Sequence, residues 1–172
     1  MNAIDLLTSQ HREVEGLFEQ IEETEDPEEK FNFVQDIADA FGAHASIEEQ
    51  IFYPAAYQKK TKETLEEAVE EHLSAKRLVA DLLEMSPEDQ NFEAKIKVLK
   101  EQIEHHVKEE EGTLFPEVRA EMSPEMLETL GGQMEAMFAE EMSAEPGEKA
   151  AQETVSAPPL KKEGPPGRPA HH

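Results

Sequence analysis

The sequence predicts an all-α protein: an up-down-up-down antiparallel four-helix bundle, then a short fifth helix and an unstructured C-terminal tail. Three observations carry that prediction. Apolar residues recur in steps of three and four from Ile4 to Leu114, with no sustained strand-type alternation. Start signals built from Asp, Ser and Pro punctuate the chain. The stretches between periodic segments are short, which favours antiparallel neighbours.

The first helix should run from about Ala3 to Glu23 behind an Asn2 cap, with Ile4, Leu7, His11, Val14, Phe18 and Ile21 as its inward seam. The second starts at Pro27, capped by Asp26, with Glu29 completing a capping box. Its seam is Val34, Ile37, Phe41, His44, Glu48 and Ile51, and Pro54 should kink or end it. The third spans about Lys62 to Met85 through Leu65, Val69, His72, then Ala75 or Lys76, Val79 and Leu83. Ser86-Pro87 with Asp89 repeats the start signal. The fourth helix then carries Phe92, Ile96, Leu99, Ile103, His106, Glu110 and Leu114. Ser123-Pro124 opens the fifth, ending near Met142. Gly131-Gly132 weakens it by about 1 kcal/mol per Gly relative to Ala. Its Met126, Leu130, Met134, Met137 and Phe138 suit a cover over one end of the bundle.

The domain expectation is therefore residues 1–142, followed by a Pro-rich tail, 143–172. That tail holds six of the eleven prolines and no aromatic, and its charges cancel. Such a composition buries too little apolar surface to offset ordering entropy. It could serve as a docking tail for a protein partner, although a plain solvated extension is the simpler reading. His171 and His172 are assigned no role.

The chain has 172 residues and a formal net charge of −24, from 40 acidic against 16 basic side chains. Without a basic patch there is nothing to neutralise phosphates, so nucleic acid is excluded as a partner, and an anionic membrane surface is disfavoured. The absence of Cys removes disulfides, thiolate metal sites and thiol catalysis. No signal peptide and no membrane span is legible, so the expected location is cytoplasmic.

Each seam is interrupted by His, and two of them by His and Glu together. HASIEEQIFYP at residues 44–54 is echoed by HVKEEEGTLFP at residues 106–116. On a helix, i and i+4 share a face. His44 with Glu48, and His106 with Glu110, therefore bring imidazole and carboxylate into the core together. A buried carboxylate without a partner costs several kcal/mol, and no Arg lies in these seams. A divalent cation answers the need. Depth agrees: His11 lies 15 residues before Asp26 and His44 18 after it, while His72 lies 14 before Ser86 and His106 20 after it. The spacing is also a repeat, with 33 residues from His11 to His44 and 34 from His72 to His106. Two helical hairpins then supply four His and two Glu about a pseudo-twofold axis. That set matches a dinuclear centre with two imidazoles per metal and two carboxylate bridges. Nitrogen and oxygen ligands without thiolate suit iron first, then manganese or zinc. His105 sits about 100° off the seam, which makes it a surface residue or one just outside the ligands rather than a ligand. Glu49, Glu109 and Glu111 are read as solvated or just outside the ligands, and each terminal aromatic-Pro as structural.

His11, His44-Ala-Ser-Ile-Glu48 with Glu49 and Tyr53-Pro54, Glu71-His72, and His106-Val-Lys-Glu-Glu110 with Glu111 and Phe115-Pro116 together resemble the hemerythrin-like (HHE cation-binding) domains over about residues 4–142. The resemblance implies a four-helix bundle around a non-heme di-iron centre, oxo- or hydroxo-bridged. His11, His44, His72 and His106 would be terminal ligands, and Glu48 and Glu110 would bridge. Two departures matter. Oxygen-carrying hemerythrins place a fifth His where this chain has Lys76, and close with His, four residues, then Asp. Here Glu110 stands at HxxxE and Glu111 at HxxxxE, and the first phrase favours Glu110. Two His on each metal would leave both with open positions, which favours bridging peroxide or two-electron chemistry over oxygen carriage. Lys76 either donates toward a bound oxygen species from just outside the ligands or extends out along the bundle surface.

The leading expectation is a di-iron protein that binds or reacts with dioxygen, peroxide or nitric oxide, with catalase-like peroxide removal as a sub-case. The alternatives are an iron- or oxygen-sensing binding module without turnover, and a structural or zinc-filled bundle.

Overall fold

The computed structural model describes residues 1–165. The last seven residues of the expected tail, including His171 and His172, lie outside that range. The helices are α1 (Ala3–Glu23), α2 (Pro27–Ile47), α3 (Tyr53–Ala56), α4 (Lys62–Glu84), α5 (Phe92–Glu109), α6 (Phe115–Glu121), α7 (Pro124–Met142) and α8 (Pro146–Gln152). No strand occurs among the described residues, and no helix among them is long and apolar enough to cross a membrane.

The antiparallel bundle consists of α1, α2, α4 and α5, as expected. Asn2 caps α1 by accepting from the Asp5 N–H, and Asp26 caps α2 by accepting from the Glu28 N–H. The reciprocal half of the expected capping box is absent: Glu29 instead accepts from the Thr24 hydroxyl at 2.8 Å. The fourth bundle helix begins at Phe92, later than Ser86-Pro87 suggested. Ser86 and Asp89 spend their capping capacity on a turn, with Asp89 accepting from the Asn91 N–H at 2.8 Å and the Phe92 N–H bonding the Asp89 carbonyl at 3.0 Å.

Neither proline ends its helix. After α2 the chain widens into a π-helical turn, Glu48–Phe52, in which the Tyr53 N–H reaches back five residues to the Glu48 carbonyl. Pro54 then sits at the start of α3, where a missing N–H costs little. The second phrase does the same at Glu110–Leu114, where the Phe115 N–H bonds the Glu110 carbonyl and α6 continues to Glu121. One extra residue per turn relieves the clash of the proline ring with the preceding turn. It also rotates Tyr53 and Phe115 onto the face that carries Glu48 and Glu110.

The core is split in two. One apolar cluster holds Ile4, Leu7, Phe52, Leu65, Leu114 and Phe115 at one end, and the other holds Phe18, Ile37, Phe41, Val79, Phe92 and Leu99 at the opposite end. The seam His and Glu residues form the layer between them. Helix α7 adds Leu127, Leu130 and Met134 to the first cluster, with Met126, Met137 and Phe138 half-buried beside it. It lies so close to the N-terminus that a Cβ on Gly131 would come within 2.1 Å of the Met1 carbonyl oxygen.

Part of the segment expected to be unstructured is helical. Helix α8 packs on α2 and α4. Its docking uses backbone contact rather than an apolar stripe: a Cβ on Gly42 would meet the Pro146 carbonyl oxygen at 2.4 Å, and one on Gly147 would meet Ala38 at 2.8 Å. Composition does not register that kind of contact.

Candidate metal centre

His11 comes from α1, His44 from α2, His72 from α4 and His106 from α5, while Glu48 and Glu110 open the two π-helical turns. None is more than 6% exposed. The structure therefore brings all six predicted residues into one layer. Ligand atoms of His11, His44, Glu48 and Glu110 lie within 4.8 Å of one another, as do those of Glu48, His72 and His106. Glu48 belongs to both groups. Its Oε1 contacts His44 Nε2 and lies 3.8 Å from His72 Nε2. Glu110 Oε1 lies 3.0 Å from His106 Nε2 and 3.3 Å from His11 Nε2. Each carboxylate thus faces one imidazole from each hairpin. The imidazoles pair within hairpins, His11 with His44 at 4.9 Å between ring centroids and His72 with His106 at 4.7 Å.

The ring orientations are fixed from outside. His11 Nδ1 lies 2.9 Å from Glu111, His44 Nδ1 2.7 Å from Gln10, His72 Nδ1 2.9 Å from Glu49 and His106 Nδ1 3.2 Å from Glu71. An acceptor at Nδ1 places a ring proton there and turns Nε2 inward, the orientation that metal-bound imidazoles require. The pattern is pseudo-symmetric. The residue before each lone His (Gln10, Glu71) holds the other His of its own hairpin. The second Glu of each phrase (Glu49, Glu111) holds the lone His of the opposite hairpin. Glu49 and Glu111 thus act just outside the predicted ligands, whereas Glu109 stays at the surface beside His105, whose side chain is 61% exposed.

The inward atoms are short of partners. Among the described residues, His11 Nε2, His44 Nε2, both Glu48 oxygens and Glu110 Oε1 are buried without a hydrogen bond of good geometry. Orphaned donors and acceptors at this depth cost about 1–3 kcal/mol each, and together they form a nitrogen and oxygen donor set that suits hard or borderline divalent metals. The site's charges confirm the strain. Burial, then Glu110, drives the Glu48 carboxyl well above its ordinary range. Burial acts on Glu110 in the same direction, but His106, the hydrogen-bonding Glu48 and His11 together outweigh it and hold the Glu110 carboxyl well below its ordinary range. Two such carboxylates cannot both ionise without a cation. Burial also lowers His44 and His72, whereas for His106 it is overcome by Glu110 and then Glu71, which push it up to about 10.

The sequence reading missed Tyr53, taking the terminal aromatic-Pro as structural. Its hydroxyl donates to Glu110 Oε2 at 2.9 Å and lies 3.3 Å from His72 Nε2 and 3.4 Å from His106 Nε2. The symmetry-related Phe115 stacks on His11 with nothing to donate. The extra π-helical residue that aims Tyr53 inward is the missed signal. Lys76 follows neither expected course: it is 3% exposed, pairs with Glu49 and Glu153, and reaches neither the site nor solvent.

Three comparisons bear on this layer. The chain is 29% identical over 128 residues to a DNA nickase of Nostoc sp., a match that covers 74% of this chain but only 36% of that protein. It superposes with a TM-score of 0.73 and 25% identity on the crystal structure of a hemerythrin HHE cation-binding domain-containing protein from Mycobacterium kansasii, covering 84% of this chain and 89% of the other. The hemerythrin HHE cation-binding domain itself matches residues 2–118, a range that contains all six inward-facing residues, and the chain belongs to that family.

Proposed function

We propose that this chain is a non-heme di-iron protein that binds or reacts with dioxygen, peroxide or nitric oxide at a carboxylate-bridged centre in the bundle core. The observation that supports this most is the set of partnerless inward atoms, sorted into two groups that share Glu48. His11 and His44 would hold one metal and His72 and His106 the other, with Glu48 and Glu110 spanning both. Bound iron would supply electrons and open coordination positions. The protein supplies the rest. Gln10, Glu49, Glu71 and Glu111 fix the imidazoles before metal arrives, so little reorganisation is needed. Tyr53 holds a proton on its hydroxyl at 2.9 Å from Glu110, within reach of the His72 and His106 side only. Beside the imidazoles lies a cavity of about 30 Å³ walled by Val14, Phe41, Ala75, Ile103 and Val107. That is room for a molecule of two or three atoms, and its apolar walls suit small weakly polar ligands.

DNA nicking has no support here. The shared region is about a third of that relative, and a net charge of −24 repels a phosphate backbone.

The test is anaerobic Fe(II) loading, metal analysis, then optical spectra before and after peroxide. Iron uptake with a new near-ultraviolet or visible band and peroxide loss supports the reading. Preferential zinc retention and no spectral response would favour the zinc-filled bundle instead.

A further inference from the structure

We propose that Lys76 and Glu153 are positioning residues for His72. Through them the C-terminal strap, residues 146–165, is coupled to the metal centre: the docked strap holds His72 in its metal-binding orientation, and a metal on His72 holds the strap. The inference rests on the metal reading of His72 and on nothing about its redox chemistry.

A continuous chain of contacts runs from the strap inward. Glu153 Oε2 accepts from Lys76 Nζ at 2.9 Å, and Lys76 Nζ donates to Glu49 at 3.3 and 3.4 Å. Glu49 accepts from His72 Nδ1 at 2.9 Å. A buried ammonium needs its acceptors, because water cannot replace them. Glu49 is the one acceptor that Lys76 and His72 share, so its placement is set from both sides.

The strap is seated by dedicated contacts. Gly42 and Gly147 let α8 approach α2 backbone to backbone. Asp39 accepts from the Gly147 N–H at 2.9 Å. Arg77, next to Lys76, donates to the Thr154 and Val155 carbonyls at 2.9 and 3.3 Å. Further on, the Gly164 N–H bonds the Pro54 carbonyl at 2.8 Å, one residue from Tyr53. The turn into α8 is made by Glu145 at φ 51, a left-handed conformation that a non-glycine residue adopts at some cost and keeps only where its surroundings enforce it.

The other half of the site supplies the contrast. There Glu111, which holds His11, is met by Arg12, half exposed and, among the described residues, paired with Glu15 and Glu111 alone. The pseudo-symmetry is broken on the side where Lys76 replaces the solvent-facing cation. Docking of the strap and occupancy at His72 therefore share a free energy, and linkage requires each to strengthen the other by the same factor.

The experiment uses the full chain with Zn(II), which binds imidazole and carboxylate without redox change. Three quantities are read: initial tryptic cleavage at Lys161 and Lys162, zinc affinity by competition with a chelator, and the His72 tautomer from imidazole nitrogen NMR of the metal-free protein. In the parent chain, zinc should slow strap cleavage about tenfold or more. K76M and E153Q should abolish that protection and weaken zinc by a comparable factor, and K76M should also lose the single His72 tautomer. K76R should restore both. Gly42→Ala, which leaves Glu49, His72, Lys76 and Glu153 intact but blocks α8 docking, should weaken zinc equally. Zinc binding with unchanged cleavage in the parent chain overturns the coupling, as does K76M with unaltered zinc affinity and tautomer. Failure of the parent chain to bind zinc overturns the metal reading itself. If a variant loses its helical circular dichroism, the parent chain with and without zinc decides alone.

Discussion

Glu48 is fully buried and neither of its oxygens has a hydrogen-bond partner. Without metal, burial and Glu110 drive its carboxyl well above the ordinary value of 4.5. Folding then favours the neutral form of Glu48. Relative to an ordinary carboxyl, that costs at most about 3 kcal/mol at pH 7, at 1.36 kcal/mol per pH unit. Glu48→Gln removes this cost, because an amide is neutral in both states and its NH2 can donate to the neighbouring Glu110 carboxylate. The metal-free variant should therefore be more stable than the parent chain by about 1–3 kcal/mol. For a chain of this size that raises Tm by about 2–12 °C. With metal the order should reverse, since a parent chain that binds metal gains about 4 kcal/mol at free metal a thousandfold above Kd and the variant would lack the proposed shared ligand. Thermal unfolding followed by circular dichroism, with chelator and then with Fe(II) or Zn(II), reads both halves. A metal-free variant less stable than the parent would refute the argument that Glu48 is held at a cost for a cation.

Three further outcomes follow from the same geometry. His106 is raised to about 10 in the metal-free fold, so its contribution is complete below about pH 6.5 and lost as pH rises toward 10. Metal-free stability should fall across that window by at most about 5 kcal/mol, measured by urea unfolding, while metal-loaded protein stays flat. Gly131→Ala forces a Cβ to within 2.1 Å of the Met1 carbonyl oxygen, whereas Gly132→Ala meets nothing within 4 Å. The first should cost about 1–3 kcal/mol and the second should stabilise by up to about 1 kcal/mol, compared by Tm. Tyr53→Phe leaves Glu110 Oε2 without its donor. It should cost about 1–3 kcal/mol without metal, seen as a lower urea midpoint, with His11 unaffected by NMR.

The bundle and the six inward residues were legible because both obey helical periodicity. A polar residue on an apolar seam is an anomaly that spacing alone exposes, and i,i+4 pairing puts His44 with Glu48 and His106 with Glu110 without any tertiary knowledge. Gln10 and Glu71 could not be read as ring-orienting residues, because each acts across to another helix and looks like any polar neighbour of a His. Tyr53 escaped because a strict α-helical register turns it away from Glu48, and only the widened turn before Pro54 brings it back. Helix α8 escaped for a different reason. Its docking depends on Gly42 and Gly147, which carry no apolar signal, and on a buried Lys76 that periodicity reads as a seam edge.

The proposed function requires a two-metal centre built by the four imidazoles and two shared carboxylates. Metal stoichiometry after anaerobic Fe(II) loading and desalting tests it most directly. Two irons per chain are expected, with both lost when Glu48 and Glu110 are replaced together by Gln while the helical circular dichroism is retained. One iron per chain, or two that survive the double replacement, would contradict it.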